Sequence, residues 1–139
     1  MEANKLDFIR SYAKRLSHKD GVSPADWDEV KPHLLLLLDF YVDYATTHDL
    51  PIVITSIIRP KIRGISKTDI HADKRAFDTS VHGWTKKQIS DLVKSANESL
   101  KIGAISMSDK IEHEAVYEDG ISAGSAPHIH WQVRPMLDS

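Results

Sequence analysis

The segment Pro51-Ile-Val-Ile-Thr-Ser-Ile-Ile58 decides the fold, because helical patterns come before it and strand patterns follow it. Its apolar, β-branched composition predicts a buried strand. Arg59-Pro60 is expected to end this strand. Everything else in the sequence can be placed on one side of it or the other.

Two helices are predicted before the strand. Residues 5–18 place apolar side chains at helical spacing, with Lys and Arg between them. A second helix is expected to begin after Ser23-Pro24 or near Lys31-Pro32, where a proline suits the first turn, and to run to about His48. Its consecutive leucines, residues 34–38, leave no polar face over more than a turn, so this segment is expected deep in the core.

Strands are predicted to dominate the rest of the chain. A polar loop is expected through about Ile70, followed by a short strand at residues 76–80. Thr85 and Gln88 form a capping-box pattern, which predicts a helix running to about Leu100. Residues 102–107, 113–118 and 128–133 have the composition of three further strands. This order predicts an α+β domain whose small antiparallel sheet is covered by helices.

Composition excludes several classes of protein. The 139 residues fit one domain, with N-terminal helices in residues 1–49 and the functional core in residues 50–135. The net charge of −2 comes from mixed charges without a basic stripe, so no nucleic-acid partner is expected. The N-terminus lacks the pattern of a signal peptide, and residues 34–38 are too short to cross a bilayer. We expect a monomer, cytoplasmic as synthesised, with no membrane partner.

Four residues in two short stretches carry ligand chemistry for a divalent metal. His71 and Asp78 lie in residues 66–80, and His128 and His130 lie in residues 126–133. A catalytic zinc takes three protein ligands, often imidazoles with or without a carboxylate, and keeps one position open for water or substrate. Cysteine is absent, so any metal must bind to His, Asp, Glu or water. The sequence therefore predicts a zinc site.

The spacing of these residues constrains how they can meet. His128 and His130 leave the same face of a strand, about 6.6 Å apart, so one can ligate a metal while the other contacts a metal-bound water or the substrate. His71 and Asp78 would lie on opposite faces of one straight strand, so the chain must turn between them, most naturally at residues 72–74. His113 could lie on the strand beside the site. The remaining histidines are expected to be packed or exposed: His18, His33, His48 and His82.

The two stretches resemble the motifs of the zinc D-Ala-D-Ala carboxypeptidase, lysostaphin-type and hedgehog superfamily. Residues 66–80 resemble its first motif, S-x-x-H-x-x-G-R-A-x-D in loose form, and His128-Ile-His130 resembles its closing H-x-H. Residues 54–60 look like the strand and arginine that precede the first motif. The resemblance covers residues 52–133 and implies a hedgehog/DD-peptidase-like fold, without the N-terminal helices.

The resemblance also implies roles for individual residues. His71, Asp78 and His130 would bind zinc if the closing motif aligns on its second histidine, although the choice between His128 and His130 stays open. His128 would then stabilise the developing oxyanion. Arg59 would anchor or polarise the substrate carbonyl or carboxylate.

The chain departs from the family pattern at two positions. Lys74 stands where the family has glycine, and Pro127 stands where many members have the acid that deprotonates the zinc-bound water. Glu118 resembles the hedgehog-like arrangement, in which a Glu precedes the H-x-H by a longer gap, and a hairpin could bring it opposite His128. Asp119 is the neighbouring alternative, and the absence of a general base is the third.

The implied function is zinc-dependent hydrolysis of an amide bond in peptidoglycan stem peptides, of the D-Ala-D-Ala or L-Ala-D-Glu type, as in a phage endolysin that reaches the cell wall after release. A non-catalytic zinc-binding module of the same fold is one alternative. The other is a histidine-triad nucleotide hydrolase or transferase, since residues 127–133 resemble that motif with His130 as the nucleophile. This last hypothesis leaves His71, Arg75 and Asp78 unexplained.

Overall fold

The computed structural model describes residues 3–58, 74–99, 115–118 and 128–133. Within these ranges the chain forms an α+β domain, as predicted from the order of helical and strand patterns. The helices are α1 (Ala3–Ala13), a short 3₁₀ helix (Pro24–Asp28), α2 (Leu34–Thr47) and α3 (Lys86–Ser99). The strands are β1 (Ser17–His18), β2 (Val53–Ser56), β3 (Ala76–Ser80), β4 (Ala115–Glu118) and β5 (His128–Gln132).

These strands form one sheet in the order β1-β2-β3-β5-β4. The pairs β2–β3, β3–β5 and β4–β5 are antiparallel, whereas β1 pairs with β2 in parallel. The prediction of an antiparallel sheet is therefore wrong at this edge, where the sheet is mixed. The cause is β1, whose two residues are too few to show the period-two pattern from which strands are predicted.

The bounds of the predicted helices differ from the observed ones. The first helix ends at Ala13 rather than residue 18, and of the two starts considered for the second helix, the one near Lys31-Pro32 is confirmed. Each of the two prolines considered for its start lies near a helix start: Pro24 begins the 3₁₀ helix, and α2 begins two residues after Pro32. The strand predicted at residues 76–80 is confirmed, and the one predicted at residues 102–107 lies outside the described residues.

One face of the sheet packs against the helices. Phe77, Ile129 and Trp131 are fully buried, and the rings of Phe77 and Trp131 stack with centroids 5.7 Å apart. Trp27 of the 3₁₀ helix packs edge-on against Phe77 at 5.4 Å, and Tyr41 of α2 contacts Trp131 at 5.6 Å. Because side chains alternate along a strand, the residues between these aromatics belong to the opposite face.

The leucine run lies in this core, as its composition predicts. Leu34, Leu35, Leu37 and Leu38 have no exposed surface, and Leu36 is half-buried. None of the helices in the described ranges has the length and apolar composition needed to cross a bilayer.

Candidate functional site

Asp78, His128 and His130 meet on the sheet face that is turned away from the aromatic core. The register of β3 and β5 pairs Asp78 with His130 and Ser80 with His128. Directly opposed residues of an antiparallel pair share a face, and so do residues two apart on one strand. The two strands therefore bring together three ligand-type side chains from positions about 50 residues apart in the sequence.

The Asp78 carboxylate contacts both imidazoles. Its Oδ1 lies 2.9 Å from Nδ1 of His130, and its Oδ2 lies 3.9 Å from Nε2 of His128. The first distance is that of a hydrogen bond, and the second is that of a longer electrostatic contact. One ring nitrogen from each histidine thus faces the same carboxylate.

This cluster is shielded from water. The Asp78 side chain is 9% exposed, and the side chains of His130 and His128 are 14% and 15% exposed. Burying a carboxylate is costly unless it is paired with charge or hydrogen-bonded. The histidines supply these partners here, and the burial of the cluster strengthens any interaction between Asp78 and a cation.

His130 has a second side-chain neighbour. Its Nε2 lies 2.8 Å from Oε1 of Gln132, which is 8% exposed. The two residues are two apart on β5, so they share the face that carries Asp78. Gln132 was not among the site residues predicted from sequence, although its spacing from His128 and His130 is the signal that would have placed it there.

Backbone hydrogen bonds anchor residues 74 and 75, which directly precede β3. Lys31 N donates to Lys74 O at 3.0 Å, and Val133 N donates to Arg75 O at 2.9 Å. The Arg75 guanidinium is buried, and its Nη1 donates to Val133 O at 2.8 Å. Arg75 therefore links the start of β3 to the end of β5, which fixes the two strands that carry Asp78 and the histidines.

The structure brings some of the predicted site residues together and does not describe others. Asp78, His128 and His130 are adjacent, and Glu118 is the backbone partner of His128, as expected for a hairpin between β4 and β5. The following predicted or considered positions lie outside the described residues: Arg59, His71, His113 and Asp119. Within the described ranges, no group of three or more His, Asp or Glu side chains is arranged to hold a metal ion.

The side-chain types around Asp78 are among those that bind zinc, although their arrangement within the described residues is not that of a metal site. A carboxylate and two imidazoles are the ligand types that zinc takes in the absence of thiolates. Two of the three predicted ligands, Asp78 and His130, already lie within hydrogen-bond distance of each other. Completing a catalytic site would require one more ligand, which His71 supplies in the prediction.

Two of the other histidines have clear structural roles. His18 accepts a hydrogen bond at Nε2 from the Trp27 indole N–H at 2.9 Å, and its Nδ1 donates to Leu16 O at 2.7 Å. His48 donates from Nδ1 to Tyr44 O at 2.8 Å and stacks on the Tyr44 ring. His18 is half-buried and His48 is exposed, in agreement with the prediction that these histidines are packed or exposed.

Comparison of the chain with protein-family models found no match. No curated protein and no solved structure matched it either.

Proposed function

We propose that this chain is a zinc-dependent peptidase that hydrolyses an amide bond in peptidoglycan stem peptides. The observation that carries the proposal is the position of the buried Asp78 carboxylate, which faces one ring nitrogen of His128 and one of His130. The resemblance of residues 66–80 and 128–130 to the motifs of the zinc peptidase superfamily supplies the reaction and the substrate class.

Asp78 and His130 would hold the zinc ion, with His71 as the third ligand. His128, next to Asp78 but farther from it than His130, would donate a hydrogen bond to the oxyanion that develops on the scissile carbonyl. When bound, zinc lowers the pKa of its water to about 7 and polarises a substrate carbonyl. Arg59 would hold a substrate carbonyl or carboxylate through its fixed positive charge.

Glu118 is the residue proposed to accept a proton from the attacking water. Its support is the backbone register, which pairs Glu118 with His128. Paired positions of neighbouring antiparallel strands belong to one face of the sheet, so position 118 lies on the face that carries the cluster. A general base of this kind contributes about 10²- to 10⁴-fold to a reaction rate.

Purified muropeptides digested with the zinc-loaded protein, with products read by mass spectrometry, test this function. We expect one defined cut, and we expect its rate to fall at least about 100-fold in Asp78→Asn and His71→Ala, because loss of a ligand exceeds the 10- to 100-fold effect of losing an outer contact. Asp91→Asn, the same exchange at an exposed position of α3, is the matched control and should cut normally.

Glu118→Gln separates catalysis from binding. The peptidase proposal expects this variant to retain zinc and to lose most of its cleavage rate. If the wild type binds zinc through Asp78 but cuts no muropeptide, the non-catalytic zinc-binding module replaces the peptidase. If Asp78→Asn leaves zinc binding unchanged, both proposals are wrong.

The histidine-triad alternative is less well supported by the contacts of His130. A nucleophilic histidine must present one ring nitrogen to the phosphate. In this structure Nδ1 of His130 contacts Asp78 and Nε2 contacts Gln132. Nδ1 thus faces a carboxylate, whose negative charge would repel a phosphate group.

A further inference from the structure

We propose that a row of aromatic side chains conducts one-electron oxidation from the buried face of the sheet to Tyr44 near the surface. Six rings make up this aromatic row, in the order Trp27, Phe77, Trp131, Tyr41, Trp84 and Tyr44. Trp131 lies between His130 and Gln132 on β5, so its ring is on the face opposite to the polar cluster. The proposal concerns the core face of the sheet, and it does not depend on the proposed function.

The rings at the sheet end of the aromatic row are in contact. The centroids of Trp27 and Phe77 are 5.4 Å apart, and those of Phe77 and Trp131 are 5.7 Å apart in a nearly parallel stack. Tyr41 of α2 lies 5.6 Å from Trp131. These distances are within the range of about 4.5–7 Å at which aromatic rings contact each other. Because electron transfer slows steeply with distance, contact between successive rings favours fast transfer.

The contacts continue from the core to the surface of α2. Tyr41 stacks on Trp84 with centroids 6.0 Å apart and an angle of 13° between the ring planes. Trp84 in turn stacks on Tyr44 at 6.0 Å and 16°. The four rings up to Tyr41 have no exposed surface, Trp84 is 9% exposed, and Tyr44 is half-buried. The aromatic row therefore links the interior to solvent without a break.

The composition of the aromatic row suits the removal of single electrons. Indole and phenol lose an electron readily, and this chain has no cysteine, whose thiol would be oxidised instead. All three tryptophans of the chain belong to the row, and one ring separates each from the next: Phe77 between Trp27 and Trp131, and Tyr41 between Trp131 and Trp84. An electron vacancy can therefore reside on every second ring.

Tyr44 has the properties of an end point for the vacancy. An oxidised phenol is stabilised as a neutral radical when its proton leaves, so the hydroxyl must reach water or another proton acceptor. Tyr44 is half-buried, and its Oη lies 3.5 Å from Gln88 O, too far for a strong hydrogen bond. Burial raises the pKa of both Tyr41 and Tyr44, but Tyr41 has no exposed surface through which its proton could leave. The vacancy is therefore expected to pass Tyr41 and to stop at Tyr44.

Electrons and protons balance in this transfer. A one-electron oxidant takes an electron from the indole of Trp27, and an electron from Tyr44 replaces it through the aromatic row. Tyr44 releases its phenolic proton to water and becomes a neutral phenoxyl radical. A soluble reductant of the ascorbate class then returns one electron and one proton, which restores the phenol. The buried indoles are thereby returned to their reduced state before further oxidation modifies them.

A photo-oxidant attached beside Trp27 tests the transfer. Ala25 is exposed on the 3₁₀ helix, two residues before Trp27. Because the chain has no cysteine, Ala25→Cys carries a ruthenium complex at this position alone. A laser flash with a soluble electron acceptor converts the complex into a one-electron oxidant. Transient absorption then follows indolyl and phenoxyl radicals, which have different spectra.

Three substitutions are compared in the labelled Ala25→Cys protein. Tyr44→Phe removes the end point at a half-buried position. Trp84→Phe replaces the indole between Tyr41 and Tyr44 by a ring that loses electrons less readily. Tyr12→Phe is the matched control, because it makes the same exchange on α1, where the Tyr12 ring contacts Phe8 and is not one of the six.

We expect phenoxyl radical to form in the labelled protein at a rate independent of protein concentration. Its signal should be lost in Tyr44→Phe, in which indolyl radical persists, and should appear more slowly in Trp84→Phe. Tyr12→Phe should match the labelled parent. A phenoxyl signal that persists in Tyr44→Phe, or one that is lost in Tyr12→Phe, overturns the inference. If Trp84→Phe does not fold, Tyr44→Phe decides.

Repeated flashes in the presence of ascorbate test whether the aromatic row protects the core. Mass spectrometry of proteolytic peptides measures oxidation products at Trp27 and Trp131. These products should accumulate severalfold faster in Tyr44→Phe than in Tyr12→Phe, because the vacancy then remains on the indoles. Equal accumulation in the two variants rejects the protective role.

Discussion

Lys74 adopts a left-handed backbone conformation, with a φ of 64°. This conformation costs a non-glycine residue about 1–2 kcal/mol. Lys74 occupies the position of the glycine in the motif that residues 66–80 resemble, and it lies where the spacing of His71 and Asp78 predicts a turn. The chain therefore makes a left-handed turn at this position with a residue that does not favour it.

Lys74→Gly is expected to leave the free energy of unfolding unchanged or to raise it by up to about 1 kcal/mol. Glycine relieves the left-handed strain of about 1–2 kcal/mol, and its greater freedom in the unfolded chain offsets part of this gain. The exposed Lys74–Glu29 ion pair, at 3.4 Å, contributes little. Urea denaturation measures the difference.

Lys94→Gly is the matched control for this exchange, because Lys94 is exposed within α3. There the same substitution should destabilise the protein by about 1 kcal/mol. Equal destabilisation by both variants would contradict a left-handed conformation at position 74.

The proximity of the candidate site residues was predictable where spacing and chemistry agreed. The spacing of His128 and His130 predicts that they share one strand face, and the ligand chemistry of Asp78 makes it a candidate metal ligand. Gln132 was missed because an amide gives no ligand signal by itself. Its spacing on β5 is the one sequence signal that places it beside His130, which it contacts at 2.8 Å.

At the scale of single elements, α3 begins with a reciprocal capping box. Thr85 Oγ1 accepts from Gln88 N at 3.1 Å, and Gln88 Oε1 accepts from Thr85 N at 2.9 Å. These bonds satisfy two backbone donors that the first turn of a helix leaves without intrahelical partners. The capping pattern in the sequence predicted this helix start correctly.

Thr85→Ala is expected to lower the free energy of unfolding by about 1 kcal/mol, the usual effect of losing an N-cap side chain. Ser90→Ala, at an exposed position inside the same helix, should have no effect or stabilise the protein slightly, since alanine favours helices more than serine does. Thermal unfolding monitored by circular dichroism compares the two. A loss no larger in Thr85→Ala than in Ser90→Ala would show that the cap contributes nothing.

Elements with local signals were predictable, and those held by distant contacts were not. α3 has a capping box and β3 has a strand composition, and both were placed to within about one or two residues. β1 was missed because Ser17 and His18 are ordered by pairing with Val53 and Ile54, far along the chain. The first helix was extended too far because its apolar spacing continues to Leu16 beyond its end at Ala13.

At the scale of the whole molecule, one core joins the helices to the sheet. Leu37 on α2 is fully buried in this core, whereas its neighbour Leu36 is half-buried. Leu37→Ala should lower the free energy of unfolding by about 2–5 kcal/mol, because it removes buried methyl groups and leaves a cavity.

Leu36→Ala, the same exchange one position earlier, should cost less, since part of that side chain is already in water. Guanidinium denaturation of the two variants under identical conditions makes the comparison. Equal losses would mean that the leucine run is not packed with Leu37 facing inward.

The α+β class followed from the order of local patterns, but the strand order did not. Pairing of β3 with β5 rather than with β4 depends on contacts between residues about 50 positions apart, which periodicity cannot report. The parallel pairing of β1 with β2 likewise depends on contacts between residues far apart in the sequence. The sequence spacing predicted only that His128 and His130 share a strand face. The register of β3 and β5 brings Asp78 to that face.

The alternation of β5 has an evolutionary consequence. Along His128-Ile-His-Trp-Gln132, residues that anchor the hydrophobic interior are interleaved with residues of the polar cluster. Inserting or deleting one residue there would exchange the two sets, sending indole to solvent and imidazole to the interior. Insertions and deletions in β5 are therefore not tolerated, so the sequence of this strand can diverge only by substitution.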